Sequence, residues 1–224
     1  VGSEMCIRDS FKNVLEYRER SPNHQSGLGI ITRNNQKHIS FTNTYNNIIN
    51  RKFVREFEFS TDLDIRKNFS NQLNLISINF AGEASFYWNS SISYNYDLDT
   101  FYNYLGYDFK NLGLHELNLR TSPSELINFR AEFEWGKDLS YNESIPMPGN
   151  LISTSFSLRF QLSNNLSMTP SYRSSKLKKS SDEYYFNGSI SRLRFNYQFN
   201  NFLNIRLIAE NNSFNEKFFI QPLI

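Results

Sequence analysis

Arg192 to Glu210 reads RLRFNYQFNNFLNIRLIAE, and this stretch decides the fold. Apolar and polar residues alternate on both arms of the stretch, and Asn200 and Asn201 lie in the polar turn between the arms. The apolar set is Leu193, Phe195, Tyr197, Phe199, Leu203, Ile205, Leu207 and Ala209. Ile208 is the one exception to the alternation. A period of two is typical of β-strands, so the stretch predicts an antiparallel hairpin with one apolar and one polar face.

The same alternation recurs along most of the chain. The clearest further examples are residues 52–66, 127–138 and 152–162. In the first of them, Arg55 occupies a position where the alternation calls for an apolar residue. Residues 72–81 are ambiguous because apolar residues occupy both the odd and the even positions. About a dozen strands of about 8–15 residues can be counted by this criterion. Because no convincing helical segment interrupts them, the sequence predicts an all-β fold and argues against an α/β fold.

Connections of two kinds separate the predicted strands. Short polar turns with similar amino-acid sequences are predicted at 68–73, 162–166 and 199–203, and longer loops at 140–150 and 174–182. A further turn is predicted at Ser122-Pro123-Ser124, because proline and serine favour turns. Short turns at one end and longer loops at the other are typical of an antiparallel up-and-down meander closed into an outer-membrane barrel.

Composition sets the remaining limits. The 224 residues carry a net charge of +2 without a basic block or an acidic tail, so nothing indicates a nucleic-acid partner. Aromatic residues make up 16% of the chain, although the mean hydropathy is only −0.55. No apolar run approaches the ~20 residues that a membrane-spanning helix needs, so contact with a membrane would have to be made by strands.

The two ends of the chain are predicted to differ from the regular strand region. Residues 1–10 resemble a translated sequencing adapter and are interpreted as a non-native leader, which contains the single cysteine, Cys6. Residues 11–26 are predicted to be a connector, and residues 27–224 the barrel segment, with strand signals beginning at Leu28 to Ile31. Since the last residues stop inside a predicted strand, the barrel is expected to be incomplete.

A soluble β-sandwich is the alternative to a membrane barrel, since its strands also alternate. Strand length favours the barrel, because strands in soluble proteins are usually nearer ~5–6 residues. Aromatic residues near strand ends, such as Phe133 and Trp135, favour it too, since they suit a membrane interface. Pro170 argues mildly in the other direction, because proline removes one hydrogen bond from a strand ladder.

If the protein is a barrel, the strand face that carries the charged residues points into the lumen. The predicted lumen-facing network is Arg130, Glu132, Glu134, Arg159, Arg192, Arg194, Arg206 and Glu210. Such a network either selects a solute as a polar pore lining or consists of charges that neutralise one another inside the barrel.

The sequence predicts no catalytic, cofactor-binding or metal-ligating residue. His115-Glu116 does not begin a zinc-protease motif, because Leu119 stands where the second histidine is needed. Glu132 and Glu134 share a strand face and could act as paired carboxylates in glycoside hydrolysis, but alternating acidic residues are common on a wet barrel wall. No cofactor is expected. No catalytic motif is visible, so the sequence leaves open whether the chain is an enzyme and favours a non-enzyme.

Two segments carry a resemblance to a known family: the hairpin from Leu193 to Ile208, continuing to Glu216, and residues 23–30, which read NHQSGLGI. They resemble the C-terminal barrel of a large, uncharacterised bacterial outer-membrane family. Members of that family join this barrel to an N-terminal module similar to family-9 carbohydrate-binding domains. The resemblance covers most of residues 21–224 and includes no catalytic signature.

The resemblance implies the barrel portion of a cell-surface protein in the bacterial outer membrane. Its expected partners are outer-membrane lipid and, through the family's separate N-terminal module, carbohydrate. A solute-specific porin or the barrel of a TonB-dependent receptor is the first alternative. A soluble all-β binding protein is the second alternative, and a membrane-associated hydrolase that uses Glu132 or Glu134 is a further one.

Overall fold

The computed structural model describes residues 9–23, 34–49, 52–141, 144–200 and 202–223, and these residues form an all-β protein. Their strands are β1 (Asp9–Arg20), β2 (Gln36–Ile48), β3 (Val54–Lys67), β4 (Leu73–Phe86), β5 (Ser90–Tyr104), β6 (Tyr107–Phe109), β7 (Leu112–Ser124), β8 (Ile127–Leu139), β9 (Pro148–Ser163), β10 (Leu166–Lys178), β11 (Tyr184–Gln198), β12 (Asn204–Asn212) and β13 (Lys217–Leu223). The predicted all-β class is confirmed.

The strands form one antiparallel sheet in which each strand pairs with the next along the chain. The short strand β6 is the exception, since it pairs with β5 alone and lies off the path from β5 to β7. The up-and-down order is therefore confirmed. No ladder joins β1 to β13 within the described ranges, so the sheet is open there.

Cross-strand register separates the side chains into two faces, named here the apolar face and the polar face. One row of the apolar face runs through Phe57, Ala84, Ile92, Leu119, Ala131, Phe156 and Tyr172. The adjacent row of the polar face runs through Glu58, Glu83, Ser93, Asn118, Glu132, Ser155 and Arg173. A period of two thus separates apolar from polar residues across the central strands, although leucines such as Leu75, Leu151 and Leu177 also lie on the polar face.

The connector predicted for residues 11–26 is wrong from Phe11 to Arg20, because this segment is strand β1. Its register places Phe11, Leu15 and Tyr17 opposite aromatic and aliphatic residues of β2, and the rings of Phe11 and Tyr45 lie 4.6 Å apart. Strand β1 begins at Asp9, inside the interval assigned to the leader. The parts of the sequence predictions that fall on residues 1–8, 24–33, 50–51, 142–143, 201 and 224 lie outside the described residues.

The predicted turns and loops are wrong at several positions. The loop predicted at 174–182 is shorter, because β10 continues to Lys178 and β11 begins at Tyr184. Successive strands are antiparallel, so the 68–72 turn lies at the same end of the sheet as the 140–147 loop. The other end, named here the short-turn end, has connections at 49–53, 87–89, 125–126, 164–165 and 199–203. The turn predicted at Ser122 to Ser124 is also displaced, because β7 continues to Ser124 and the chain reverses at 125–126.

Two sequence irregularities coincide with irregularities in the ladders. The register between β3 and β4 shifts between Val54 and Glu56, so Arg55 is the extra residue of a β-bulge. The ladder between β10 and β9 has no paired positions between Met168 and Ser171, which brackets Pro170. Proline has no amide hydrogen to donate there.

Few side chains are buried, because no described strand packs as a second layer over the sheet. The buried apolar residues are Leu75, Leu112, Leu139, Leu151 and Leu177. Leu151 pairs with Leu177 on the polar face near the 140–147 loop, and Leu177 is only 1% exposed. The small core of the described residues therefore lies on the polar face at the end of the sheet opposite the short-turn end, named here the long-loop end.

The loop after β8 reaches across that end of the sheet. The ring of Tyr141 meets the ring of Tyr104, at the end of β5, edge-on at 5.2 Å. The Tyr141 hydroxyl donates a hydrogen bond of 3.2 Å to Asp138 Oδ1. Burial, and then the charge of Asp138, raises the pKa of Tyr141 well above its ordinary value, so its hydroxyl remains protonated even in strongly alkaline solution.

Candidate functional site

The eight residues of the predicted network lie on four strands and share the polar face. Strand β8 carries Arg130, Glu132 and Glu134; β9 carries Arg159; β11 carries Arg192 and Arg194; and β12 carries Arg206 and Glu210. The alternation seen in the sequence is what places them together, because residues two apart on a strand point to the same side.

Arg192 and Glu210 form an ion pair between β11 and β12. Arg192 Nη2 and Nε lie 2.5 and 2.6 Å from Glu210 Oε2. The Glu210 side chain is only 7% exposed, whereas that of Arg192 is 42% exposed. The arginine therefore compensates a carboxylate that has lost most of its contact with water.

Replacing Arg192 with methionine is expected to lower the free energy of unfolding by about 2–3 kcal/mol. Removing one partner of a fully buried pair costs about 3–5 kcal/mol, and the partial exposure of Arg192 reduces that figure. The matched control is Arg206→Met, because Arg206 makes a 2.9 Å hydrogen bond to Asn196 and no ion pair among the described residues. Urea titration followed by tryptophan fluorescence measures both changes, and equal losses would contradict the assigned role of Glu210.

The other six residues of the network form no ion pair with one another in the described part of the chain. Arg206 donates to Asn196, and Arg159 Nη2 lies 3.3 Å from Gln161 Oε1. The Nε atom of Arg194 is buried and has no hydrogen-bond partner. Among the eight residues of the predicted network, as far as the described ranges show, direct ion pairing is limited to Arg192 and Glu210.

Two further arginines complete the site, and the sequence reasoning missed both. Arg120 on β7 lies directly opposite Arg130 on β8, and Arg173 on β10 lies on the same face opposite Ser155. Like charges directly opposite each other destabilise a sheet. The alternation of residues along each strand could have placed Arg120 and Arg173 on the polar face. Their cross-strand partners could not be read in this way, because they depend on how the strands are aligned with each other.

The polar face is concave where these arginines converge. One cavity of about 420 Å³ is bordered by Arg120, Arg130, Arg173 and Arg192, and a second of about 600 Å³ by Arg130, Arg159 and Arg194. Arg130 and Ser157 border both cavities. These six arginines and the two cavities are named here the arginine groove, which crosses β7 to β11 towards the short-turn end.

Acidic residues of the polar face concentrate at the opposite end of the same strands. Glu116 lies directly opposite Glu134, two positions along β7 and β8 from Asn118 and Glu132. No group of three or more histidine, cysteine, aspartate or glutamate side chains suited to a metal ion occurs in the described ranges. The groove and the acidic region are thus separate parts of one polar face.

No known protein family and no curated protein gives a significant match to this chain. Among the described residues there is no helix with the length and apolar character required to cross a membrane. The class defined by the fold is an open, antiparallel, up-and-down β-sheet protein with one apolar and one polar face.

Proposed function

We propose that this chain forms part of the wall of a transmembrane β-barrel in a bacterial outer membrane, with the apolar face towards lipid and the polar face towards water. The observation that carries the proposal is the continuous apolar face, which no described strand covers. Its exposed side chains include Phe41, Phe59, Leu63, Tyr94, Phe133, Ile152, Phe156 and Leu207. Contiguous apolar surface of this extent on a soluble monomer marks an interaction surface.

A soluble β-sandwich would cover such a face with a second sheet. All the described strands belong to one sheet, and Ile152 and Phe156 on the interior strand β9 remain 53% and 44% exposed. Lipid contact is the environment in which an uncovered apolar face of a single-layer sheet is favourable. The soluble binding protein is therefore the less well supported alternative.

The lengths of the strands support the same proposal. Strands β2 to β5 and β7 to β11 each contain 13 to 16 residues. A 13-residue strand rises about 43 Å, and at a tilt near 45° it spans about 30 Å. This exceeds the ~25 Å apolar band of outer-membrane barrels, so each of these strands could cross it with residues to spare.

Aromatic side chains lie at two levels of the sheet. Trp88, in a short turn, lies 6.2 Å from the ring of Phe53. Further towards the long-loop end, Trp135 stacks on His115 at 5.1 Å, and His115 stacks on Tyr96 at 4.3 Å. Aromatic rings at both membrane–water interfaces are a regular feature of membrane barrels, and these two groups suit that role.

Fluorescence quenching by brominated lipids tests the proposal without any substitution. Trp88 and Trp135 are the two tryptophans of the chain. In lipid vesicles, lipids brominated near the glycerol backbone should quench the emission more strongly than lipids brominated near the chain ends. The Trp135→Phe variant reports on Trp88 alone. Emission that responds to aqueous iodide but to neither brominated lipid would contradict the proposal.

The expected link to carbohydrate has no support among the residues of this chain. In the family that the sequence resembles, sugar recognition belongs to a separate module. The proposal is therefore confined to the barrel wall, and no residue here is given a role in binding sugar or in hydrolysis. A solute-selective channel is the second candidate, and the concave, arginine-lined part of the polar face is the observation that favours it.

A further inference from the structure

The arginine groove gathers six guanidinium groups with few carboxylates beside them, whereas the arginine on β3 has a carboxylate partner. On β2 and β3, Asp64 lies between His38 and Arg66, with Arg66 Nη2 2.6 Å from Asp64 Oδ2. Asp97 on β5 accepts a 2.5 Å hydrogen bond from Asn79. In the groove, by contrast, Arg192 alone of the six arginines has an ion-pair partner among the described residues.

Two features of the groove are unfavourable in the absence of a ligand. Arg120 and Arg130 face each other directly across β7 and β8, where like charges repel. The Nε atom of Arg194 is buried without a hydrogen-bond partner, although a buried donor left unpaired costs about 1–3 kcal/mol. An anion in the groove would relieve the repulsion between the first two arginines and could accept the hydrogen bond from the third.

We propose that the arginine groove binds a polyanion, meaning a small solute that carries several carboxylate or phosphate groups. Guanidinium groups bind both kinds of anion through paired, charge-assisted hydrogen bonds. Cavities of about 420 and 600 Å³ lie in the range of small-molecule sites. Because the two cavities share Arg130, one ligand with separated anionic groups can engage both of them.

The remaining borders of the groove fit the same ligand class. Ser155, Ser157 and Ser171 provide hydroxyl donors between the arginines. Glu132 and Glu125 are the carboxylates at the borders of the two cavities, and they disfavour an anion next to them. The groove therefore has a strong excess of positive charge, concentrated around Arg130.

Among the residues that the structure describes, none presents an aromatic surface for stacking in the groove. Phe156 and Tyr172 border the first cavity, but their register places their side chains on the apolar face, where the two rings lie 5.4 Å apart. Recognition of nucleobases depends on such stacking surfaces. The chemistry of the groove thus selects for charge and hydrogen-bond acceptors.

Calorimetric titration of the folded full chain in detergent micelles, at constant ionic strength, tests this inference. The probes are tripolyphosphate, citrate and inorganic phosphate. The test variant is Arg120→Gln/Arg130→Gln, and the matched control is Arg206→Gln, because Arg206 lies on the polar face but borders neither cavity. Circular dichroism establishes that each variant retains its strands.

At least one polyanion should bind the wild-type chain at least tenfold more tightly than inorganic phosphate does. The double variant should lose about tenfold in that affinity, and the control less than twofold. Preference for tripolyphosphate would assign phosphate groups to the ligand, and preference for citrate would assign carboxylates. Without added anion, the double variant should unfold at a higher temperature than the wild type, because the opposed charges are gone.

Three results would overturn the inference: neither polyanion binds, inorganic phosphate binds as tightly as both polyanions, or the control loses as much affinity as the double variant. Binding in micelles does not require the chain to enter a bilayer. A chain that binds polyanions but stays out of vesicles would refute the barrel and leave the groove in place. A chain that inserts into vesicles but binds no polyanion would refute the groove and leave the barrel in place.

Discussion

Arginine in place of Phe156 is expected to destabilise the folded protein in a lipid bilayer by about 2–4 kcal/mol, the cost of a lipid-facing arginine near the midplane of a barrel. Phe156 lies near the middle of β9 on the apolar face and is 44% exposed. It pairs with Ala131 on one side and Tyr172 on the other, so the new charge would have no acidic partner in its row. Urea-driven unfolding from phospholipid vesicles measures the loss.

The matched control is Ser153→Arg, which adds the same side chain to the polar face of the same strand. Ser153 lies directly opposite Glu134 on β8 and Ser175 on β10, so an arginine there meets water and a carboxylate. This substitution should change the free energy of unfolding by less than about 1 kcal/mol, as exposed charges generally do. Ile205→Arg on β12 repeats the lipid-face test at a second position. If both lipid-face variants insert and fold like the wild type, the apolar face has been assigned to the wrong solvent.

Alanine at Gly136 is expected to destabilise the protein by about 3–5 kcal/mol, from backbone strain and overlap together. The backbone of Gly136 on β8 has a φ of +142°, a conformation that residues with a Cβ atom rarely adopt. A Cβ atom there would lie 2.0 Å from the carbonyl oxygen of Gly113 on β7. The dihedral strain and the close contact both involve backbone, so they cannot be relieved by rotating a side chain.

Gly82→Ala is the control for that substitution. A Cβ atom at Gly82 would meet its nearest neighbour, the carbonyl oxygen of Glu58, at 4.0 Å, an ordinary contact distance. Unfolding midpoints in urea, measured on both variants in the same detergent, should therefore differ clearly. A Gly136→Ala variant as stable as Gly82→Ala would show that β7 and β8 do not approach each other as described.

Much of the sheet could be predicted because a strand period of two is visible in the sequence. The hairpin of β11 and β12 illustrates this, since Leu193, Phe195 and Tyr197 pair with Ala209, Leu207 and Ile205 as their alternation predicts. The turn also has a local cause. Asn200 Oδ1 accepts hydrogen bonds from the backbone amides of Phe202 and Leu203, which reverses the chain.

Alternation fails where tertiary packing changes the environment of one face. Residues 72–81 have apolar residues on both parities because Ile76 and Ile78 belong to the apolar face, whereas Leu75 is buried on the polar face at the long-loop end. Strand β1 was missed for a different reason. Its charged residues and the nearby Pro22 indicated a connector, although Phe11, Leu15 and Tyr17 keep the period of two.

The pairing that defines the groove could not be predicted because it depends on where the chain reverses. A turn centred on Pro123 would place Arg120 opposite Leu126. The observed reversal at 125–126 places Arg120 opposite Arg130 instead. A shift of a few residues in one turn thus decides whether two positive charges meet across the strands, and only the ladder itself supplies that information.

The most direct measurement of the central claim is a spin-label scan along β9 in phospholipid vesicles, with the single cysteine, Cys6, first replaced by serine. Labels at residues 152–160 should alternate, with even positions accessible to oxygen dissolved in lipid and odd positions accessible to a water-soluble nickel reagent. This result is predicted because even residues of β9 lie on the apolar face and odd residues on the polar face. Even positions shielded from both reagents, or no alternation at all, would contradict a lipid-facing sheet.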